Sequence, residues 1–179
     1  MGVMEFSKKG DHGETSLLTG ERVSKASLRP ETYGTLDEVS SALGLAKALT
    51  QDQTIREMIT TIQQDLLILG AELASESEQP SHRITADQIR RLEDWIARLQ
   101  QDVPLGRQFI LPGENAVSAA IDLARTIVRR AERRAAAMRE AGLLSRPEAS
   151  TYLNRVADFL FTLARYAEKA EPEKSPPLA

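Results

Sequence analysis

The segment ARTIVRRAERR, Ala124 to Arg134, places five arginines in eleven residues of a chain whose formal net charge is −3. Arg125, Arg129, Glu132 and Arg133 stand at offsets of four, seven and eight, so on a helix their side chains share one face. A guanidinium grips phosphate through parallel N–H donors and stays charged at physiological pH. Such a face suits holding a polyphosphate and stabilising it as it leaves. Glu132 among the arginines is placed to orient one of them or to help hold a metal–phosphate complex. The same run also fits a solvated helix face or a nucleic-acid surface. The nucleic-acid reading lacks interleaved aromatics for base stacking and sits poorly with an acidic whole. It predicts binding that weakens steeply with salt.

Three other stretches bear on chemistry. KKGDHGETS, Lys8 to Ser16, sets two glycines among hydroxyl and charged residues. Glycines permit close backbone approach, so successive N–H groups can point at phosphate oxygens. The pattern is not the G-x-x-x-x-G-K-[ST] loop, and a flexible N-terminal arm is the plain alternative. YGTLDE places Asp37 near the start of a helix, as a surface or capping residue unless it is buried against a cation. RQFILPGEN is an apolar loop whose Phe109 is the sole aromatic between Trp95 and Tyr152.

The elements that must position these residues are helical. Leu36, Val39, Leu43 and Ala46 recur at steps of three and four after Pro30 and Glu31. Ile55, Met58, Ile62, Leu66, Leu69 and Leu73 do the same, ending near SESEQPSH. Ile89, Leu92, Ile96, Leu99 and Val103 form a third stripe, and TADQ has the spacing of a capping box. Val117, Ala120, Ala124, Ile127, Ala131, Ala135 and Met138 predict a long fourth helix, with Asn115 at its start and Gly142 at its end. Leu153, Val156, Leu160, Leu163 and Ala167 predict a fifth, opened by SRPE with Pro147 in the first turn. Five amphipathic helices with short connections read as an all-α bundle over residues 31–169. Residues 1–30 are a polar, glycine-broken segment, and residues 170–179 read as a disordered tail.

Composition agrees. The chain of 179 residues is expected to be a single domain with one core. Hydrophobic residues make up 41%, charged residues 27% and aromatics 4%, so the core must be largely aliphatic. The absence of cysteine excludes disulfides, thiolate metal sites and a thiol nucleophile. His12 and His82 stand far apart, which disfavours a zinc centre. No stretch has signal-peptide character or membrane-spanning length, so a cytoplasmic protein that binds no membrane is expected.

GDHGETSLLTGERVSK, YGTLDEVSSALG, FILPG followed by ARTIVRRAERR, and YLNRVADFLFTLARYA together resemble the PduO-type ATP:cob(I)alamin adenosyltransferases. The matching segments run in family order from about Ser7 to Ala167. The R-x-x-x-R-R-A-E-R run and L-N-R-x-x-D-x-L-F are the most specific. The resemblance implies a five-helix bundle with an irregular N-terminal nucleotide-binding segment, assembled as a homotrimer with active sites between subunits. It implies transfer of the 5′-deoxyadenosyl group of ATP, with Mg2+, to the cobalt of cob(I)alamin, releasing triphosphate. Cob(I)alamin is itself a strong nucleophile, in keeping with a chain that shows no nucleophilic constellation. A reductase and an adenosylcobalamin-dependent enzyme are the implied partners, and nucleic acid is not one.

Position by position, the family's nucleotide loop falls on Ser7, Lys8, Lys9, Gly10, Thr15, Ser16 and Lys25. The arginine-helix contacts to ATP fall on Arg129, Arg130, Glu132 and Arg133, and the fifth-helix contact on Asn154. Asp37 and Arg125 match an ion pair across the subunit contact, and with Arg129 they are the implied catalytic residues. Phe109 matches the aromatic that displaces the lower ligand of cobalamin, leaving Co(II) easier to reduce. Arg134 lies one position beyond the matched run and reads as a solvated residue. The chain departs from the family pattern at Lys9, where Thr is usual, at Glu114, where a second glycine is usual, and at Asp122, where His is common. Glu114 and Asp122 are expected to add negative charge near an anion site. A bundle that has lost turnover and serves as a corrinoid or nucleotide carrier or sensor is the alternative from another class.

Overall fold

Each apolar stripe becomes a helix in the computed structural model, which describes residues 8–77, 80–103, 106 and 109–170. The helices are α1 (Leu28–Leu49), α2 (Gln53–Leu73), α3 (Ala86–Asp102), α4 (Ala116–Glu140) and α5 (Pro147–Ala170). Helix α4 packs against both α1 and α5; α1 carries α2 on its other side and α5 carries α3. The all-α bundle expected from the sequence is therefore the observed fold. Ser7 and residues 171–179 of the expected tail lie outside the described residues, and Ala170 ends α5.

Local chemistry sets the boundaries. Thr85 and Gln88 close the expected capping box on α3, and Asn115 and Ser118 form a second on α4. Asp52 caps α2 by accepting the Ile55 N–H at 3.0 Å. Helix α4 ends in a Schellman motif: Gly142 adopts φ 71°, its N–H reaches the Arg139 carbonyl, and the Leu143 N–H reaches Met138 at 2.8 Å. Helix α1 starts at Leu28, earlier than the Pro30 boundary read from the sequence. Pro30 then sits in the first turn, where its missing N–H costs no hydrogen bond.

The N-terminal segment is more ordered than its sequence suggests. A 3-10 turn at Lys8–Gly10 leads into an antiparallel hairpin, β1 (Glu14–Ser16) and β2 (Arg22–Ser24), with Thr15 opposite Val23. Leu17 is buried, and the Leu18 N–H bonds the Ala74 carbonyl, seating the hairpin at the C-terminal end of α2.

The core is aliphatic apart from Tyr152 and Phe159, both fully buried, with Trp95 tilted against Phe159 at 5.4 Å. Buried charges tie its ends. Asp65 accepts the Tyr152 hydroxyl at 2.8 Å and pairs with Arg91. Arg29, at the start of α1, donates to the carbonyls of Leu73 and Ser75 at 2.8 Å and of Leu143 at 3.0 Å. These carbonyls end α2 and α4, where orphan acceptors and the negative ends of the helix dipoles gather.

Arg134 corrects the sequence reading. It is not solvated: it pairs with Glu31 at 2.7 Å, donates to the Glu31 carbonyl at 2.9 Å and bonds the Thr35 hydroxyl. It fastens α4 to α1. Arg134→Ala is therefore expected to cost about 1–2 kcal/mol in denaturant unfolding, more than a solvated residue would.

Glu72 is buried, accepts the Ile84 N–H at 2.7 Å and stands 3.4 Å from Arg146. Burial raises its carboxyl above the usual 4.5, and the Ile84 bond and Arg146 pull back only partly. A raised carboxyl favours the folded state most when protonated, so this contribution is full below about 4.5 and is lost as pH rises through the folded value. Glu72→Gln keeps an acceptor for Ile84 and removes that loss. Its stability relative to the unmodified protein should rise with pH across that window, as measured by urea unfolding.

Candidate functional site

The five arginines of the Ala124–Arg134 run on α4 sort into three groups by what faces them. Arg130 pairs with Glu38 and Arg134 with Glu31, so both are turned to α1. Arg125, half-buried, donates its Nε to Asp122 at 2.9 Å. Arg129 and Arg133 are exposed and make no ion pair with any described residue; their one mutual bond runs from Arg133 Nη1 to the Arg129 carbonyl at 3.0 Å. Within this run two guanidinium groups one turn apart thus lack a carboxylate partner among the described residues.

Beside them lies an open cavity of about 510 Å³ between α3, α4 and α5. Arg125, Arg129 and Arg155 line it together with Phe161, Ile96 and Asp158. Arg155 is paired with Asp158 at 2.7 Å and with Glu93 at 3.2 Å, so Arg129 is the cavity's unpaired cation among the described residues. One turn further on, Glu132 accepts a bond from Asn154 of α5 at 3.1 Å. Four residues named from the sequence, Arg129, Glu132, Arg133 and Asn154, thus share the α4–α5 side, while Arg130 faces α1.

Asp122 also differs from its sequence reading. It is 2% exposed and holds two cations, Arg125 and Arg165, the latter at 2.6 Å. Arg165 reaches Glu168 as well, at 2.8 Å, so two arginines face two carboxylates. Burial raises the Glu168 carboxyl above its usual 4.5; Arg165 lowers it, and Asp122 and Glu114 raise it. Asp122 therefore adds no uncompensated charge to the Arg129 side of α4. Glu114 is exposed.

The loop residues gather elsewhere. Lys8, Lys9 and Gly10 form the 3-10 turn, and Thr15 and Ser16 lie on β1. Lys25 bonds the Gly13 carbonyl through its N–H at 2.8 Å. A Cβ on Gly10 would stand 3.0 Å from the Lys25 Nζ, so the lysine head passes close over this turn. Arg22, which sequence reasoning missed, braces the loop: it bonds the Lys9 carbonyl at 2.9 Å, Glu14 at 3.2 Å and Ser16 at 3.4 Å. The only sequence signal for it is a basic residue opposite Ser16 across a glycine turn. No described hydrogen bond or ion pair links this loop to Arg129, Arg133, Glu132 or Asn154 in the single chain.

Asp37 is exposed and lines an apolar groove of about 310 Å³ between α1 and α2, with Leu18, Tyr33, Leu66 and Leu67. Arg125 lies on the other cavity, so one chain does not form the Asp37–Arg125 pair. Phe109 is fully exposed at 106%, followed by Leu111 at 90%. Among the described residues no group of three or more His, Cys, Asp or Glu side chains gathers to hold a metal.

The family described as cobalamin adenosyltransferase matches residues 6–167 of the chain. A corrinoid adenosyltransferase of Citrobacter freundii is 41% identical over 91% of this chain and 94% of its own length. The corrinoid adenosyltransferase PduO of Salmonella typhimurium is 42% identical over 89% of this chain, which spans 48% of that relative. In three dimensions the chain is similar to a phenylalanine-to-histidine variant of the PduO-type ATP:corrinoid adenosyltransferase of Lactobacillus reuteri, solved with cobalamin and ATP. The TM-score is 0.86, at 32% identity over 93% of this chain and 91% of that one.

Proposed function

The chain belongs to the cobalamin adenosyltransferase family, and from that premise we propose how its own residues carry the reaction. It transfers the 5′-deoxyadenosyl group of ATP to the cobalt of cobalamin. The Co(I) electron pair attacks C5′, a cobalt–carbon bond forms, and the C5′–O bond breaks with its electrons leaving on triphosphate. The cobalt is the nucleophile, so the protein must hold two substrates in line and receive the charge that departs.

The observation that carries this reading is the division of the arginines. Here Arg130 and Arg134 are neutralised by α1, whereas Arg129 on the cavity wall and Arg133 one turn along have no ion pair among the described residues. They are the groups that receive triphosphate, with Glu132 and Asn154 ordering the adjoining end of the site. Lys8, Lys9, Gly10, Thr15, Ser16 and Lys25, with Ser7 from outside the described residues, form the nucleotide loop. Mg2+ arrives with ATP, and Glu132, held by Asn154, is the carboxylate placed among the arginines to meet it. Phe109, held in water on a loop, enters below the corrin and displaces the lower ligand.

The active assembly is a homotrimer. Asp37 and Arg125 line different cavities of one chain, and the loop makes no described bond to Arg129; both facts are accommodated when the loop and Asp37 of one subunit meet the α4–α5 face of its neighbour. The protein works in the cytoplasm beside a reductase that supplies Co(I) and an enzyme that uses adenosylcobalamin. Among the described residues, no helix is long and apolar enough to cross a membrane.

Anaerobic incubation with ATP and chemically reduced cobalamin tests the reading. A spectrum developing the cobalt–carbon absorption, with triphosphate released, is expected from a species sedimenting at three times the chain mass. Binding of both compounds without turnover would instead mark a carrier.

A further inference from the structure

Arg125 has a long, flexible side chain, and a site that uses it must fix it. Its guanidinium is anchored from one side only: Nε donates to Asp122 Oδ1 at 2.9 Å, and no described residue accepts from either terminal nitrogen. Asp122 is in turn immobilised through its other oxygen, which accepts from Arg165 Nη2 at 2.6 Å. Arg165 is 4% exposed, grips Glu168 at 2.8 Å and lies in α5, 43 residues along the chain from Asp122. Phe161 completes the arrangement, with the Arg125 and Arg165 guanidinium carbons 5.8 and 5.5 Å from its ring centroid.

We propose that Asp122 is a positioning residue for the reaction, the central link of a strut running from α5 through Arg165 and Asp122 to Arg125. The carboxylate spends one oxygen on each arginine, so the buried cation fixes the direction in which it offers its second oxygen. That oxygen takes Nε and leaves both terminal nitrogens of Arg125 for a group outside the chain, either substrate or the carboxylate of a neighbouring subunit. The strut orders Arg125 before any partner arrives, so its rotamer freedom is not lost during the reaction. The inference rests on Arg125 belonging to the site, as proposed above.

Four proteins decide it: the unmodified chain, Asp122→Asn, Arg125→Ala and the double variant, each shown by sedimentation and melting to keep its assembly. Turnover is measured with ATP and chemically reduced cobalamin. Asp122→Asn should lower kcat by about 10- to 100-fold while the KM for ATP stays within about two-fold, because a displacement of the order of 1 Å costs rate rather than nucleotide binding. The double variant should be no slower than Arg125→Ala alone, since the strut acts only through Arg125. Unmodified kcat in Asp122→Asn, or losses that multiply in the double variant, overturns the proposal. Should Asp122→Asn not fold, Asp122→Glu decides in its place: it keeps the charge but shifts Arg125, and must show the same kcat loss and the same lack of additivity. Unmodified turnover in Arg125→Ala would instead remove Arg125 from the site and the strut with it. A chain that makes no adenosylcobalamin under any condition would overturn the functional reading itself.

Discussion

Arg129→Ala should lose on the order of 10²- to 10³-fold in kcat, about 3 kcal/mol of transition-state stabilisation, with little change in melting temperature. The size follows from where the charge develops. Triphosphate gains negative charge as the C5′–O bond breaks, and Arg129 is the cavity cation that no described carboxylate already neutralises. A guanidinium already paired would gain less, because its partner must be given up or shared. The stability cost is small because Arg129 is exposed and its side chain makes no described packing contact with the core. Arg134→Ala provides the opposite pattern, a loss in unfolding free energy with turnover of the folded protein kept, since its bonds all go to α1. Stopped-flow rates with pre-reduced cobalamin, set against urea unfolding of both variants, separate the two. Equal kinetic losses would refute the sorting of the arginine face.

Phe109→Ala should abolish the reaction that starts from cob(II)alamin and a weak reductant, by at least about 100-fold on the scale of a removed catalytic contact, while sparing the reaction of pre-reduced cob(I)alamin. A Phe109 buried as a plug at the end of the bundle would cost about 3–5 kcal/mol on truncation. Its 106% exposure removes that role. Phe109, Ile110 and Leu111 together expose an apolar stretch, which suits contact with a ligand or partner better than support of the folded chain. If it evicts the lower ligand of Co(II), the variant leaves the metal ligated and hard to reduce, whereas Co(I) has already shed that ligand. Melting temperature and ATP affinity should not move. Electron paramagnetic resonance of the variant with ATP and cob(II)alamin reads the coordination directly, and a four-coordinate signal as strong as that of the unmodified protein would end the wedge assignment.

What was legible in the sequence divides along a physical line. Features written within a few residues of one another were readable: the helical stripes, the Thr85–Gln88 box and the Gly142 terminator are each local, and each stands where expected. The hairpin was not, because β1 and β2 are three residues long and their alternation is too brief to show a period. Charges whose meaning depends on a distant partner were misread or missed. Arg134 looked solvated because Glu31 and Thr35 lie about a hundred positions away in the chain. Asp122 looked like an added negative charge because Arg165 comes from the next helix. Arg22 drew no notice because its role is to brace a loop whose fold was not foreseen. Of the named site residues, Glu132 and Asn154 meet across α4 and α5, and Arg129 and Arg133 have no ion pair among the described residues. Asp37 and Arg125 line different cavities of one chain.

The clasp made by Arg29 divides the molecule into units that open separately. One guanidinium holds the ends of α2 and α4 to the beginning of α1, so those three termini cannot fray one at a time; releasing any of them leaves a buried cation short of acceptors. Upstream of Arg29 the hairpin is joined to the bundle by far less, chiefly Leu17 and the Leu18 to Ala74 bond. In amide exchange the three helix ends should therefore protect together near the global unfolding energy, and the hairpin should exchange well before them. The segment proposed to hold the nucleotide can then come and go on its own clock while the helices it is seated on stay still.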